Sequence, residues 1–477
     1  MTAQPLVKEE NGEQARIIGH VDLEAGTGPR HAPREAATDD FFTAMTATPW
    51  SSDHLQREHD RILAEIEELK AENRWDDILA LFYPLEEKAP ELAESGMTAQ
   101  LRLALGFVLG RAGRHHEAIT CLEPVVREEP DNGLAHYSLA YAALDSLYEG
   151  KKRKNLPGGK EKARLIRLAH RHFDLACRLR PDSVTFFYRQ GMLYKEIENK
   201  PRRAIPLFER AIANWDQYDA ETRKKRHQQY PKYIKAMYHL ASCLLAIGRP
   251  GPSLELIQRV LREDEGRHHM QPLFKHYAAG KILHALGRPE QALEHLETAL
   301  VRADKHQPVD FVAELAARCA LQLNRIDQAE RFIQRAATGP ARPYLQHTRA
   351  DVLVARGKYD QALDLLAKSA ARDRRSRHKS LIRMARIHIG RGQFEQAEQC
   401  CQQAVDFCRD TFGNPSHEAM FWQAAALYRL NRHDRAAAIL AKLQQHNFRY
   451  PNLHRLAQMV RQAREQEQDR AGLSLVK

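Results

Sequence analysis

Apolar residues recur along most of this chain at intervals of three and four, the spacing that places them on one face of an α-helix. From residue 99 onward the helical segments come in pairs, and the pair repeats about every 34 residues. Within a pair, the segments are joined by Gly or Asn, which accept the left-handed backbone that ends a helix. These turn residues are Asn73, Gly113, Gly248, Gly287, Asn324, Gly357, Gly392 and Asn431. The pattern predicts an all-α chain without strands.

Small residues recur at matching positions in the two segments of each pair. In the first clear copy these positions hold Gly106 and Ala118, with Leu122 and Val125 farther along the second segment. We expect the small residues to lie where the two helices of a pair cross most closely. The larger Leu, Phe and Ile side chains then fill the space between successive pairs.

This pattern resembles the tetratricopeptide repeat (TPR) family over residues 99–450, in nine copies. The resemblance implies an α-solenoid, a right-handed superhelix of about nine to ten helical hairpins that share a continuous core. We divide the chain into a disordered acidic tail (1–50), a degenerate capping hairpin (51–98), the repeat array (99–450), and a capping helix with a C-terminal tail (451–477). A basic insert (145–161) and a basic linker (214–233) interrupt the period.

Composition is that of a globular protein, since 43% of the 477 residues are hydrophobic and 28% are charged. No apolar run is long enough to span a membrane, and the first residues lack a secretory signal, so we expect a cytoplasmic protein. The seven cysteines do not stand at zinc-ligand spacing. We expect reduced, buried thiols at Cys121, Cys177, Cys243, Cys319 and Cys401, no metal and no cofactor.

No catalytic motif is recognisable, and we predict that the chain is not an enzyme. The 24 histidines include adjacent pairs, but none has the helical spacing of a zinc hydrolase. We expect histidines to lie at the surface or in turns. His170 and His172, beside Arg167 and Arg171, indicate a solvated cationic face.

In the family that this sequence resembles, the first helix of each hairpin lines a concave groove. Transferred position by position, the resemblance implies a groove of aromatic residues interleaved with cations, which suits an extended or helical, acidic segment of a partner protein. A purely structural role for its tyrosines remains an alternative. The predicted partner-binding residues are Tyr137, Tyr141, Tyr188, Met192, Lys195, Lys235, Tyr238, Phe274, Tyr277, Lys281, Phe311 and Arg318.

Charge is unevenly distributed, although the whole chain carries a net charge of +11. Residues 1–98 contain 9 basic and 21 acidic side chains, so the remainder is strongly basic. A set of clustered cations either attracts polyanions or lies in solvated loops that aid solubility. This basic patch comprises Lys151, Lys152, Arg153, Lys154, Arg223, Lys224, Lys225, Arg226, Arg374, Arg375 and Arg377. A further hypothesis is that the tethered acidic tail competes for the groove.

We therefore predict a non-enzymatic scaffold or adaptor that binds another protein in the groove. One alternative is a regulator that binds RNA or single-stranded nucleic acid through the same surface and the basic patch. Another is an accessory subunit of a multi-protein enzyme complex. The sequence leaves the oligomeric state open.

Overall fold

The computed structural model describes residues 52–153, 157–336, 342–446 and 448–475, and the side chains of the last helix as far as residue 468. Within these ranges the chain forms 24 α-helices and no strand, which confirms the predicted fold class. The predicted tail (1–50) and Lys154 lie outside the described residues. The helices divide into two compact units, here the N-terminal unit (52–270) and the C-terminal unit (271–475).

The N-terminal unit consists of five helical hairpins and short connecting helices. Its helices are α1 (Ser52–Ala71), α2 (Trp75–Phe82), α3 (Leu85–Lys88), α4 (Pro90–Ser95), α5 (Ala99–Arg111), α6 (His115–Glu128), α7 (Gly133–Lys152), α8 (Gly159–Leu179), α9 (Val184–Met192), α10 (Pro201–Gln217), α11 (Ala220–Lys225), α12 (Tyr230–Ala246) and α13 (Pro250–Glu263). A π-helical turn, Leu193–Ile197, continues α9, and a short 3₁₀ helix, His227–Gln229, precedes α12.

The C-terminal unit consists of five further hairpins and a final helix. Its helices are α14 (Pro272–Ala285), α15 (Pro289–Val301), α16 (Asp310–Gln322), α17 (Ile326–Ala336), α18 (Pro343–Ala355), α19 (Tyr359–Arg372), α20 (Arg377–Gly390), α21 (Phe394–Phe412), α22 (His417–Arg429), α23 (His433–Gln445) and α24 (Leu453–Leu475).

The turns inside the hairpins have the backbone that their residues predict. All eight predicted turn residues have positive φ, for example 76° at Gly113 and 58° at Asn431. Asn199, which the repeat pattern did not single out, has φ 55° at the turn before α10. Left-handed backbone suits Gly because it has no Cβ, and it suits Asn because the short polar side chain can hydrogen-bond locally. These residues therefore end the first helix of a hairpin at a defined position.

The predicted close crossings are also confirmed. A Cβ atom added to Gly106 would lie 2.7 Å from the Leu122 side chain, and one added to Gly191 would lie 2.7 Å from Phe208. Hydrogen at these positions lets α5 approach α6, and α9 approach α10. Ala118 and Leu122 of the second helix are buried in the hydrophobic core of the N-terminal unit.

The basic insert (145–161) differs from its predicted position between two helices. Most of it lies inside α7 and α8, which reach 20 and 21 residues because an apolar seam continues along both helices. Leu144, Leu147 and Leu165 are fully buried in this seam. Among the described helices, none combines the length and apolarity needed to cross a bilayer.

Candidate partner-binding surfaces

The twelve predicted partner-binding residues all lie on first helices or on the π-helical turn after α9. Eight are buried: Tyr188, Met192, Lys235, Tyr238, Phe274, Tyr277, Lys281 and Phe311. The other four, Tyr137, Tyr141, Lys195 and Arg318, are partly exposed. The buried residues therefore form the packed base of each surface, and the partly exposed ones offer contact area. Their role in binding stays a prediction.

In the N-terminal unit the aromatic residues form a connected row. The rings of Tyr137 and Tyr141 stack with centroids 5.9 Å apart. The guanidinium of Arg189 lies 4.6 Å from the Tyr141 ring centre and 5.6 Å from that of Tyr188. Tyr188 in turn packs 6.0 Å from the His239 ring. Arg189 was missed in the sequence because it follows a predicted position instead of occupying one.

A charged cluster adjoins this row at the end of α9. Lys151 Nζ donates to the carboxylate of Glu196 at 2.9 Å, and Lys195 pairs with the same carboxylate. Burial raises the pKa of Glu196, but the two lysines outweigh it and hold the pKa at about 2. Burial and the nearby Glu196 charge raise the pKa of Tyr238, so its hydroxyl stays protonated. The repeat pattern gave no signal for Glu196.

In the C-terminal unit, three predicted aromatic residues meet directly. Tyr277 packs edge-on against Phe311 at 4.6 Å, and Phe274 stacks with Phe311 at 6.2 Å. Arg318 lies 3.9 Å from the buried carboxylate of Glu314, which also accepts a 2.7 Å hydrogen bond from Thr348. The sequence-based analysis did not identify Glu314 or Thr348.

The basic patch is partly neutralised within the protein. Lys152 and Arg153 pair with Glu149, Lys225 pairs with Glu221, and Arg226 pairs with Asp182. A second group of basic-patch residues has no carboxylate at ion-pair distance in the part of the chain that the structure describes. This group consists of Arg223, Lys224, Arg374, Arg375 and Arg377, all of them exposed.

The expected surface location is wrong for eight of the 22 histidines that the structure describes. Eight are buried: His59, His115, His136, His172, His239, His284, His347 and His433. His172 does not belong to a solvated face, because its Nδ1 lies 2.8 Å from Nδ1 of His136 across the α7–α8 hairpin. Nε2–H of His170 donates to the Glu198 carboxylate at 2.7 Å. Each of these two rings thus meets a polar partner inside the helical packing.

The five cysteines expected to be buried are buried and unpaired. Burial raises the pKa of the Cys121 thiol to about 11 and that of Cys177 to about 12, so neither is a reactive thiolate at neutral pH. Within the described ranges, no three His, Cys, Asp or Glu side chains are grouped to hold a metal ion.

Comparison with known families gives several matches along the chain. Tetratricopeptide repeat models match residues 103–146 and 382–452, residues 276–298, and residues 353–407. No curated protein matches the sequence.

Solved structures resemble the chain at low sequence identity. The apo form of RapI is 12% identical with a TM-score of 0.51, covering 75% of this chain and 98% of RapI. A tetratricopeptide repeat protein from Parabacteroides merdae is 13% identical with a TM-score of 0.45, covering 58% of this chain and 98% of that protein. YrrB, described as a TPR protein with an unusual peptide-binding site, is 18% identical with a TM-score of 0.34, covering 49% and 95%.

The paired helices, the left-handed turn residues and the glycine crossings define a helical repeat protein. The matched segments are tetratricopeptide repeats, and they support a protein of the tetratricopeptide repeat superfamily. Proteins of this class are in general non-catalytic scaffolds that bind other proteins, and this chain is a protein-interaction scaffold in that general sense.

Proposed function

We propose that this chain is a non-enzymatic adaptor that holds an extended or helical segment of a partner protein. The proposed binding surface is the first-helix face of the N-terminal unit, formed by α7, α9 and α12. The row Tyr137–Tyr141–Arg189–Tyr188 supports the proposal, because it joins aromatic rings to a cation across consecutive hairpins. The corresponding cluster in the C-terminal unit, around Phe311, is a second contact region.

The chemistry of this face suits an acidic partner segment. A tyrosine ring supplies large contact area at a small entropic cost, because only two torsions are fixed on binding. Tyr137 and Tyr141 are partly exposed, so a ligand gains apolar contact without disturbing the core. The Arg189 guanidinium, only 7% exposed, adds positive charge beside these rings, which favours Asp or Glu in the partner.

Nucleic acid is a weaker candidate for this face. Lys151 and Lys195 are paired with Glu196, and Lys152 and Arg153 with Glu149, so these cations are partly compensated. A nucleic acid held through many phosphate contacts also loses affinity steeply with salt, whereas aromatic burial does not. An accessory role in an enzyme complex differs from the proposal only in the identity of the partner.

The proposal is tested by affinity capture of the full-length protein, with and without nuclease, followed by titration of the captured partner. Tyr141→Ala is expected to weaken partner binding about tenfold, the loss typical of an aromatic anchor. Tyr359→Ala is the matched control, because Tyr359 is 41% exposed on the second helix α19. Equal effects of the two variants, or loss of all partners on nuclease treatment, would contradict the proposal.

A further inference from the structure

A second surface of the N-terminal unit lies between its last two hairpins, away from the first-helix row. A cleft of about 670 Å³ is bounded by the end of α10, the connection through α11, the start of α12, and the end of α13 with the loop after it. Three aromatic residues form its floor, and exposed cations stand around it. The principal lining residues are Trp215, Tyr230, Tyr233, Arg223, Lys224 and Arg267.

The aromatic floor is a compact cluster. The Trp215 ring centre lies 5.2 Å from that of Tyr230 and 5.6 Å from that of Tyr233, and the two tyrosines are 5.7 Å apart. Trp215 and Tyr233 are only 5% and 1% exposed. These rings therefore give the cleft a rigid base, but they leave almost no open face on which a ligand ring could stack.

The two carboxylates of the cleft are already engaged. Asp216 and Glu263 each accept a 2.6 Å hydrogen bond from Arg259. The Tyr233 hydroxyl donates to Glu263 at 2.7 Å and lies 3.1 Å from the Asp216 carboxylate. One guanidinium thus compensates one of the two negative charges. The network fixes both acids against the floor, where they are not available to the remaining cations.

The other three cations of the cleft have no carboxylate within ion-pair distance among the residues that the structure describes. The Arg223 guanidinium lies 5.9 Å from the Trp215 ring centre and donates at 3.0 Å to the Asp216 carbonyl oxygen. The Arg267 guanidinium lies 4.9 Å from the Tyr230 ring centre. Together with exposed Lys224, they leave the cleft with four cations against two carboxylates.

Specific contacts hold the segments that carry these cations. Arg226 pairs with Asp182 at 2.5 Å and covers the Tyr218 ring at 5.1 Å, which anchors the segment of Arg223 and Lys224 to the preceding hairpin. Beyond α13, the buried carboxylate of Asp264 accepts backbone N–H bonds from His269 at 2.9 Å and Met270 at 3.0 Å. This loop therefore presents Arg267 from a fixed backbone.

We propose that this cleft binds a phosphate monoester, carried on a phosphorylated side chain of a partner protein. The partner being a protein rests on the proposed function. A phosphorylated side chain carries a charge between about −1.5 and −2 at neutral pH, which matches the excess of two cations. Two arginine forks and a lysine also provide the charge-assisted donors that its three oxygens accept.

Two observations favour this ligand over nucleic acid. The uncompensated cations converge on one cleft, whereas a nucleic-acid strand needs cations spaced along a track of singly charged phosphates. Bases would also need open aromatic faces, and Trp215 and Tyr233 are buried.

The test uses the full-length protein and a fluorescein-labelled pool of degenerate peptides with a fixed central phosphoserine. The unphosphorylated pool and a single-stranded DNA oligonucleotide serve as comparison probes in fluorescence anisotropy. The phosphorylated pool is expected to bind at least about tenfold more tightly than the unphosphorylated pool, the gain provided by charge-assisted donors. The double variant Arg223→Gln/Arg267→Gln should abolish that difference.

The control is Arg374→Gln/Arg375→Gln, which removes the same charge from exposed arginines of the C-terminal unit. Circular dichroism checks that both variants remain folded. Equal binding of the two peptide pools, or equal losses in both variants, would overturn the proposal. If the oligonucleotide binds more tightly than the phosphorylated pool, and the Arg223→Gln/Arg267→Gln variant loses that binding, the ligand of the cleft is a nucleic acid and not a phosphorylated protein. If only Tyr141→Ala weakens partner binding, the cleft proposal fails and the adaptor function stands.

Discussion

His136 and His172 join the two helices of the α7–α8 hairpin through their imidazole rings. The rings stack with centroids 5.0 Å apart. Nε2 of His136 lies 2.8 Å from the Pro130 carbonyl oxygen, which only accepts, so this nitrogen carries the proton of the neutral ring. Nδ1 of His136 is then an acceptor, and Nδ1–H of His172 donates to it. The pair is therefore built for two neutral rings.

Acidification is expected to destabilise this hairpin. Burial is the main cause that lowers the pKa of His172 from 6.5 to about 4, and the repulsion that a second protonated ring or Arg171 would exert lowers it further. As pH falls below 6.5 the unfolded chain binds a proton before the folded chain does, so stability is lost between pH 6.5 and 4. We expect this residue to contribute about 1 kcal/mol of the loss between about pH 7 and pH 5.

The measurement is the urea midpoint of unfolding at both pH values. His172→Gln removes the titrating ring but keeps a donor, so its loss on acidification should be smaller than that of the unchanged protein. His306→Gln replaces an exposed histidine and should retain the full pH dependence. The same pH dependence in all three proteins would show that His172 is not the group responsible.

At the scale of the element, the close crossing of α5 and α6 depends on a glycine, whose side chain is a single hydrogen atom. The hydrogen of Gly106 faces Leu122, which is 1% exposed and packed on all sides. Gly110, one turn later in the same helix, has no heavy atom within 4 Å of the position where a Cβ would stand. The two glycines thus differ in surroundings while sharing a helix.

Gly106→Ala is expected to destabilise the protein by about 1 to 3 kcal/mol, because the new methyl group must displace Leu122 from a filled core. Gly110→Ala is the matched control and should stabilise by about 0.5 to 1 kcal/mol through helix propensity alone. Chemical denaturation of both variants measures the difference. Equal changes in the free energy of unfolding would contradict the close crossing.

Features set by local spacing were predictable from the sequence. The turn residues Gly113 and Asn431 and the crossing at Gly106 follow from backbone sterics and the helical period, so the hairpins could be placed in order. Features set by contacts between hairpins were not predictable. The His136–His172 contact joins residues 36 positions apart, and the Lys151–Glu196 ion pair joins residues 45 positions apart. The aromatic floor around Trp215 adjoins a connection outside the repeat pattern.

At the scale of the whole chain, charge is divided by position. Residues 1–98 contain 21 of the 62 acidic side chains and only 9 of the 73 basic ones. In the described part of this segment, some charges pair within their own helix or turn, as Arg61 does with Glu58 and Arg74 with Asp77, and Glu86 pairs with Arg102 of the next hairpin. The eight acidic residues of 1–50 lie outside the described residues. Our hypothesis is that this tethered acidic segment competes with an acidic ligand for the same cations.

Deletion of residues 1–50 is therefore expected to tighten binding of an acidic ligand. A labelled peptide of alternating Glu and Tyr is the probe, and its affinity should rise about three- to tenfold because a competitor at high effective concentration is removed. The gain should shrink when ionic strength rises from about 0.05 to 0.3 M, since screening weakens exposed charge pairs.

A full-length variant with the eight acids of 1–50 changed to Asn or Gln keeps the segment but removes its negative charges. If this variant binds as tightly as the deletion, the competition is electrostatic. Unchanged affinity in both proteins would exclude competition by the segment, and the basic body would then be open to its partners in the full-length chain.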